Sequence, residues 1–371
     1  MIKVLHFYKT YYPNTFGGVE QVIYQIAEGG LDKGVESTVL SLSKKSMPAM
    51  KIGKHDSIYS KTTLEFASTP LSLSVFKDFA RLAEQADIIH YHFPWPLMDI
   101  AHFVCRIKKP SLVSYHSDIV KQKSLFRAYK PLMNAFFNSV DHIVASSPNY
   151  VASSQTLQQF KNKVTIIPYG LDERSHPEVS QEKRDEWFES FGNRFFLFIG
   201  AFRYYKGLHV LIEAAKDAPY PVVIVGSGAL EAELKKQAQA SNTHNIHFVG
   251  AVDDIDKAAL LQLCSAIVFP SHLRSESFGI TLLEGAMYSK PMISCEIGSG
   301  TTYVNIADKT GLVTPPDDPK ALREAMDKLW FHPELAEELG QNAGKRYREI
   351  FTAEQMADKY IQLYKAMLKR S

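Results

Sequence analysis

Ser265-Ala-Ile-Val-Phe-Pro-Ser271, followed after three residues by Ser275-Glu-Ser-Phe-Gly-Ile-Thr-Leu-Leu-Glu-Gly-Ala-Met287, decides how this chain is read. The first piece is an apolar run of strand length, and the second turns periodic after Ser277, a residue suited to cap a helix. The two pieces form a strand–loop–helix unit. Outward from it the same alternation repeats. The first half predicts strands at Ile2–Tyr8, Glu36–Leu42, Asp87–His92, Ser111–His116, His142–Ser146 and Val164–Pro168, with a helix around Val19–Ile26. After a polar, Pro-containing stretch from Leu171 to Arg184 the alternation restarts at Phe195–Ala201, Pro221–Val225, Ile246–Gly250, Ala266–Pro270 and Pro291–Ser294. Such a restart predicts an α/β protein of two tandem βαβ domains, 1–172 and 173–354. The final helical pattern, 355–371, is expected to return to the first domain.

Within the opening stretch, a helix capped by Ser277 leaves the N–H groups of Phe278, Gly279 and Ile280 without intrahelical acceptors, and Gly279 lets an anion approach the backbone. Glu276 stands just outside that helix start, where a hexose could hydrogen-bond it. Glu284 lies about two turns on, roughly 10 Å along the same face, in reach of ribose hydroxyls. A sugar nucleotide fits this arrangement; the plainer reading is a solvated loop carboxylate and an ordinary surface one.

Composition narrows the class. At 371 residues, 22% charged and 45% hydrophobic, the chain is an ordinary globular protein with room for two cores. Its start, Met1-Ile-Lys-Val-Leu-His-Phe-Tyr8, reads as a strand rather than a signal peptide. No apolar run is long enough to span a bilayer. Cys105, Cys264 and Cys295 form no spaced pair, so a reduced, cytoplasmic setting is expected. Charge divides unevenly: residues 1–170 hold 19 Lys and Arg against 12 Asp and Glu, a net +7, and the remainder is net −5. Basic residues are densest from Lys121 to Lys130, where Lys123, Arg127 and Lys130 share one face opposite Leu125, Tyr129, Leu132 and Phe136. That pattern suits a helix lying on an anionic membrane surface, or a core helix with a solvated basic face. Nucleic acid is not indicated.

In open parallel sheets, ligands gather beyond the carboxyl ends of the strands. Gly17-Gly18 follows the first strand, and His116 stands at the tip of the fourth. His90 and His92 offer two same-face ligands with no third in view, so no metal site is assigned. In the second half, Arg203 and Lys206 flank a turn before Gly207 and a helix. Two cations beside a helix start call for an anion between them, and a diphosphate would serve. Gly226-Ser-Gly228 resembles a shortened dinucleotide fingerprint, but Glu231 replaces its third glycine. Asp254-Ile-Asp256 reads as a helix cap rather than a metal ligand pair.

The combination of Gly17-Gly18, His116, Arg203 with Lys206-Gly207, Gly226-Ser-Gly228, the Glu276 to Glu284 motif and Gly311-Leu-Val-Thr-Pro-Pro316 resembles retaining glycosyltransferases of family 4. The resemblance covers essentially the whole chain. It implies the GT-B fold, two Rossmann-like domains facing a cleft, with the C-terminal helix crossing back to the first domain. Tyr115-His-Ser-Asp-Ile-Val-Lys-Gln-Lys123, Ala145-Ser-Ser-Pro-Asn-Tyr-Val151, Phe202-Arg-Tyr-Tyr-Lys-Gly-Leu-His209 and Phe269-Pro-Ser-His-Leu-Arg-Ser-Glu276 are similar to bacterial mannosyltransferases that build polymannose O-antigen. That similarity implies GDP-mannose as donor, an undecaprenyl-diphosphate-linked saccharide as acceptor at the inner face of the cell membrane, an α-1,3 linkage and no metal cofactor. Other glycan assembly enzymes are implied as partners.

By the same resemblance Arg203 and Lys206 hold the leaving diphosphate with the amides near Gly279, and Glu276 orients the hexose. Glu284 then holds the ribose, Gly17-Gly18 lies against the diphosphate or acceptor, and His116 sits near the sugar's C6 end. Two departures stand out. The family's arginine usually follows the strand-ending glycine directly, whereas Ala201 is there and Arg203 comes two residues later. Ser277 replaces a glycine. A GT-B sugar-nucleotide 2-epimerase and a catalytically silent nucleotide-sugar-binding subunit remain as alternatives.

Overall fold

The computed structural model describes residues 1–66, 69–119, 123–241 and 243–369. They form two compact units, Met1–Gly170 with Ala353–Ser371, and Leu171–Thr352. The first contains an eight-stranded sheet. In spatial order its strands are Val164–Ile166, His142–Ala145, Ser111–Tyr115, Ile88–Phe93, Ile2–Phe7, Val35–Ser43, His55–Lys61 and Met50–Ile52. All neighbours are parallel except the last pair. Those last two strands escape the sequence pattern because their hairpin, turning at Gly53 with φ +60°, is polar along most of its length. Such an edge shows no apolar run to read.

The second unit's six strands are all parallel: Ile246–Gly250, Val222–Val225, Phe196–Ile199, Ala266–Phe269, Met292–Cys295 and Gly311–Thr314. Every residue of Phe196–Ile199, Val222–Val225, Ala266–Phe269 and Met292–Cys295 is buried. Both faces of these strands are therefore covered, which is why the first three read as unbroken apolar runs. Gly311–Thr314, not anticipated as a strand, joins the edge because Gly311 packs against the Met292 carbonyl, where a Cβ would collide.

The helix Ala353–Leu368 packs in the first unit against Gly18–Gly30. Gly29 makes the approach possible, since a Cβ there would run into Ala357, and Lys33 pairs with Asp358 at 2.5 Å. Along the helix's sequence stripe of Met356, Tyr360, Leu363, Tyr364 and Met367, all are buried except Leu363, which is half-buried. No described helix is long and apolar enough to cross a membrane.

Candidate active site

The spatial order of the second sheet reverses between Phe196–Ile199 and Ala266–Phe269: from one strand the chain winds outward one way, from the other the opposite way. Loops leaving such neighbours diverge and open a crevice beyond their carboxyl ends. Lys206 arrives on the first loop and Glu276 on the second. Lys206 Nζ donates to Glu276 Oε2 at 2.6 Å, with only 12% of each side chain exposed. The ammonium also lies 4.6 Å from the Phe269 ring centre. Burial is the largest single influence and works against its charge, yet Glu276 and Tyr205 together hold the Lys206 pKa above its ordinary value. Gly207 makes the juxtaposition possible. Its φ is +70°, and a Cβ there would strike the Pro270 carbonyl oxygen. Arg203 is exposed and begins the short turn Tyr204–Lys206; it makes no side-chain ion pair among the described residues.

The helix following Glu276 runs Ile280–Met287 and is capped by Gly279 at φ 90°, not by Ser277. Ser277 cannot serve because the chain still has to turn: its carbonyl accepts from Gly300 N–H at 2.8 Å, and the left-handed glycine then starts the helix. The N–H groups at the helix start are thus those of Ile280 and Thr281, while Phe278 is buried against Phe351. Glu284 consequently sits little more than one turn into the helix, not two. It is 5% exposed, which excludes an ordinary surface carboxylate. Lys257 Nζ meets it at 3.0 Å and Asp254 at 2.9 Å. Burial opposes the Lys257 charge, but those carboxylates raise its pKa regardless.

Lys257 belongs to the helix Asp254–Leu263, whose cap is Asp253; Asp254-Ile-Asp256, which the sequence suggested as the cap, lies inside its first turn. Asp256, the other acid of that pair, accepts from Trp187 Nε1 at 2.9 Å and pairs with Lys183 at 3.1 Å. Nothing in the local sequence announces the Lys257–Glu284 contact, which joins the helices that follow Ile246–Gly250 and Ala266–Phe269. Gly226 and Gly228 serve packing: each would collide through a Cβ with the loop at Gly200 or Phe202.

In the first unit, His116 is 3% exposed at the tip of Ser111–Tyr115. His116 Nε2 meets His92 Nδ1 at 2.9 Å, and its Nδ1 meets Tyr169 Oη at 2.6 Å. The chain continues from His92 Nε2 to His6 Nδ1 at 3.1 Å and from His6 Nε2 to Ser37 Oγ at 3.4 Å. His90 bonds Tyr364 and Ser114, each at 2.7 Å, and Ser114 bonds Tyr360 at 2.8 Å. Burial, first, and neighbouring positive groups push His6 and His116 down to about 3 and His90 and His92 well below their ordinary value. These imidazoles are neutral, and both nitrogens of His116 are already used. His6 completes the three-histidine group that His90 and His92 lacked in the sequence.

Gly17 and Gly18 are exposed at the start of Gly18–Gly30, where the buried Glu20 carboxylate, bonded to Thr15 Oγ1 at 2.7 Å, lies beside Gly17. In the helix Lys123–Ser139 the buried stripe is Met133, Phe136 and Phe137, with Phe126 and Tyr129 partly buried. It is rotated from the predicted one because helical spacing from Phe136 leads back to Met133 and Tyr129. Arg127 and Lys130 are exposed; the side chains of Lys123 and Leu125, and Lys121 altogether, lie outside the described residues.

Comparison with known proteins agrees over both units. The Glycosyltransferase Family 4 model matches residues 16–175, and the model for glycosyl transferases group 1 matches residues 179–346. The chain is 55% identical over 353 residues to D-rhamnosyltransferase WbpZ of Pseudomonas aeruginosa, covering 95% of this chain and 93% of that one. It is 50% identical over 369 residues to O-antigen chain mannosyltransferase C of Escherichia coli, covering 99% of each. Among solved structures, sucrose-phosphate synthase from Thermosynechococcus elongatus superposes with a TM-score of 0.82 at 20% identity over the full length of both chains, a likeness of fold. A reversed parallel sheet with buried cation–carboxylate pairs at its switch point, family matches in both halves and full-length relatives of this identity agree: the chain is a glycosyltransferase of family 4 with the GT-B fold.

Proposed function

We propose that the chain transfers mannose from GDP-mannose, with retention of anomeric configuration, to an undecaprenyl-diphosphate-linked oligosaccharide during O-antigen assembly, forming an α-1,3 linkage. The observation that carries this reading is 50% identity across 99% of both chains with an O-antigen chain mannosyltransferase. In the reaction, the bond from the anomeric carbon to the diphosphate oxygen breaks, the acceptor oxygen bonds to the same face, and the departing phosphate takes the acceptor proton.

Lys206 is the group placed to answer the charge that grows on the leaving diphosphate. Without donor it is neutralised by Glu276; with donor, the phosphate competes for the ammonium and frees Glu276 to accept hydrogen bonds from the hexose. Arg203 and the helix-start amides of Ile280 and Thr281 add fixed positive charge, which strengthens most where water is excluded. Glu284 holds the ribose hydroxyls. Because these groups supply the charge a divalent ion would otherwise provide, turnover is expected to persist in excess EDTA. Ile100, Phe103 and Val104, exposed on the helix Pro96–Val104, add an apolar component to the basic surface of the first unit and support an approach to the membrane.

A second donor deserves equal trial, since a D-rhamnosyltransferase is 55% identical. D-Rhamnose is mannose without the C6 hydroxyl. His116, which the family resemblance assigns to C6, has both ring nitrogens engaged, so its backbone carbonyl is what it offers that hydroxyl. The experiment is donor competition: purified protein, a lipid-diphosphate acceptor, and GDP-mannose against GDP-6-deoxymannose, with product identified by mass and linkage by NMR. Transfer only from uridine diphosphate sugars, or nucleotide release without acceptor, would sink the proposal.

A further inference from the structure

We propose that His209, His272 and Asp317 form a site for a divalent first-row transition ion, separate from the Lys206–Glu276 pair. One nitrogen from each histidine and one Asp317 oxygen lie within 4.8 Å of one another. His272 Nδ1 bonds Asp317 Oδ1, and His209 Nε2 lies 3.7 Å from the same oxygen. Zinc bonds imidazole nitrogen and carboxylate oxygen at about 2.0–2.2 Å, so tetrahedral ligands sit roughly 3.3–3.5 Å apart. The His209–Asp317 separation is close to that spacing. The His272–Asp317 contact has to lengthen, and Asp317, 58% exposed, has room to move outward.

The three-histidine group of the first unit is the natural control within the same molecule. There every ring nitrogen of His6, His90 and His92 already has a hydrogen-bond partner, and no lone pair is left for an ion. His272 differs. Its side chain is fully buried, Nδ1 is spent on Asp317, and Nε2 has no partner among the described residues. A buried histidine satisfied on one side alone is unusual. An ion arriving at Nδ1 takes the place of the hydrogen between Nδ1 and Asp317, and the proton moves to the unused Nε2, so the ring stays neutral. Two imidazoles and one carboxylate, with the remaining positions open to water, suit zinc, cobalt or nickel rather than magnesium.

The site adjoins the turn that carries Lys206. His272 N–H donates to the Tyr205 carbonyl at 3.0 Å, and the Tyr204 ring stacks on His209 at 5.2 Å with 5° between planes. None of this depends on the donor sugar, and the test reads binding rather than turnover. The whole protein, stripped with chelator and desalted, is titrated with zinc by calorimetry and with cobalt(II) by absorption. Expected are one ion per chain, visible d–d bands, and affinity at least about tenfold weaker in both His209→Ala and Asp317→Asn. Both changes fall on partly exposed side chains, and thermal melting of the stripped variants confirms that they fold. Absence of stoichiometric binding to the unaltered protein, or equal affinity in either folded variant, overturns the site.

Discussion

The two units finish their strands in different chemistry. In the first, four imidazoles and three phenols are buried in two sets of hydrogen bonds, His6–His92–His116–Tyr169 and Tyr364–His90–Ser114–Tyr360, and burial keeps the imidazoles uncharged. Beyond the strand tips of the second, the buried groups are ions, Lys206 with Glu276 and Lys257 with Glu284. A neutral network fixes shape and holds no charge to give. Buried ion pairs are different: desolvation offsets much of their attraction, so a polyanion that offers a better partner can take the cation. On the function proposed above, charge handling falls to the second unit and positioning to the first.

The largest expected effect tests the neutral network. His6 and His116 have native pKa values near 3, against 6.5 for an ordinary histidine. Between those values the unfolded chain binds protons that the native one refuses, so native stability is intact above pH 6.5 and falls as the pH drops toward 3. Each such imidazole removes about 1.4 kcal/mol per pH unit, or roughly 2 kcal/mol by pH 5, before most carboxylates titrate. Urea unfolding of the protein at pH 7.5, 6 and 5 should show this loss, and His92→Asn should flatten it by breaking the chain. A stability unchanged from pH 7.5 to 5 would mean the imidazoles are not held neutral.

On the other side of the comparison, Lys206→Ala should lower turnover by about 10²–10³-fold, the size seen when one preorganised donor to a developing anion is removed. Steady-state kinetics with saturating donor measure it. If only the donor KM rises, Lys206 binds the ground state and the ion pair is structural.

The legibility of these two regions differed for physical reasons. Parallel strands covered on both faces must be apolar throughout, so Phe196–Ile199 or Ala266–Phe269 can be found by eye, and with them the loops that carry Lys206 and Glu276. Glu276 and Lys206 were each singled out; that they touch depends on the strand order 246, 222, 196, 266, which no local pattern states. Lys257 was invisible as a site residue because its partner Glu284 lies on another helix. His6 was likewise an unremarked residue of an apolar strand, and its role emerges only from its register opposite His90. The helix start at Gly279 rather than Ser277 was missed because an N-cap serine is the commoner signal, and a left-handed glycine won through the Ser277–Gly300 bond.

A finer probe separates the two ion pairs. Glu284→Gln keeps volume and removes the charge-assisted acceptor, a loss of about 1.5–3 kcal/mol if ribose hydroxyls bind it, hence roughly 10–100-fold in donor affinity. Turnover at saturation should stay close to that of the unaltered protein, since the contact exists before and during reaction alike. Equal loss of turnover and affinity would erase the distinction between this pair and Lys206–Glu276.

The smallest expected effect concerns the outside of the first unit, where the net +7 of residues 1–170 belongs. A lipid-diphosphate acceptor stays at a membrane, and no described helix is long and apolar enough to cross one, so an enzyme using that acceptor has to meet it from the surface. Arg127 and Lys130 are exposed near the start of Lys123–Ser139, while Met133, Phe136 and Phe137 further along it are held in the core. Substitution there leaves the core untouched. Near an anionic leaflet each basic side chain contributes about 1 kcal/mol, so Lys123→Glu, Arg127→Glu and Lys130→Glu together should weaken sedimentation with anionic vesicles at low salt by about tenfold or more. Raising the salt should shrink the gap between the variant and the unaltered protein, because the attraction is screened over roughly 10 Å at 0.1 M. Transfer to a short soluble acceptor should hold steady while transfer to the lipid-linked one falls. Vesicle binding that survives the triple change would leave this face as a solvated side of a core helix and move the contact elsewhere on the unit.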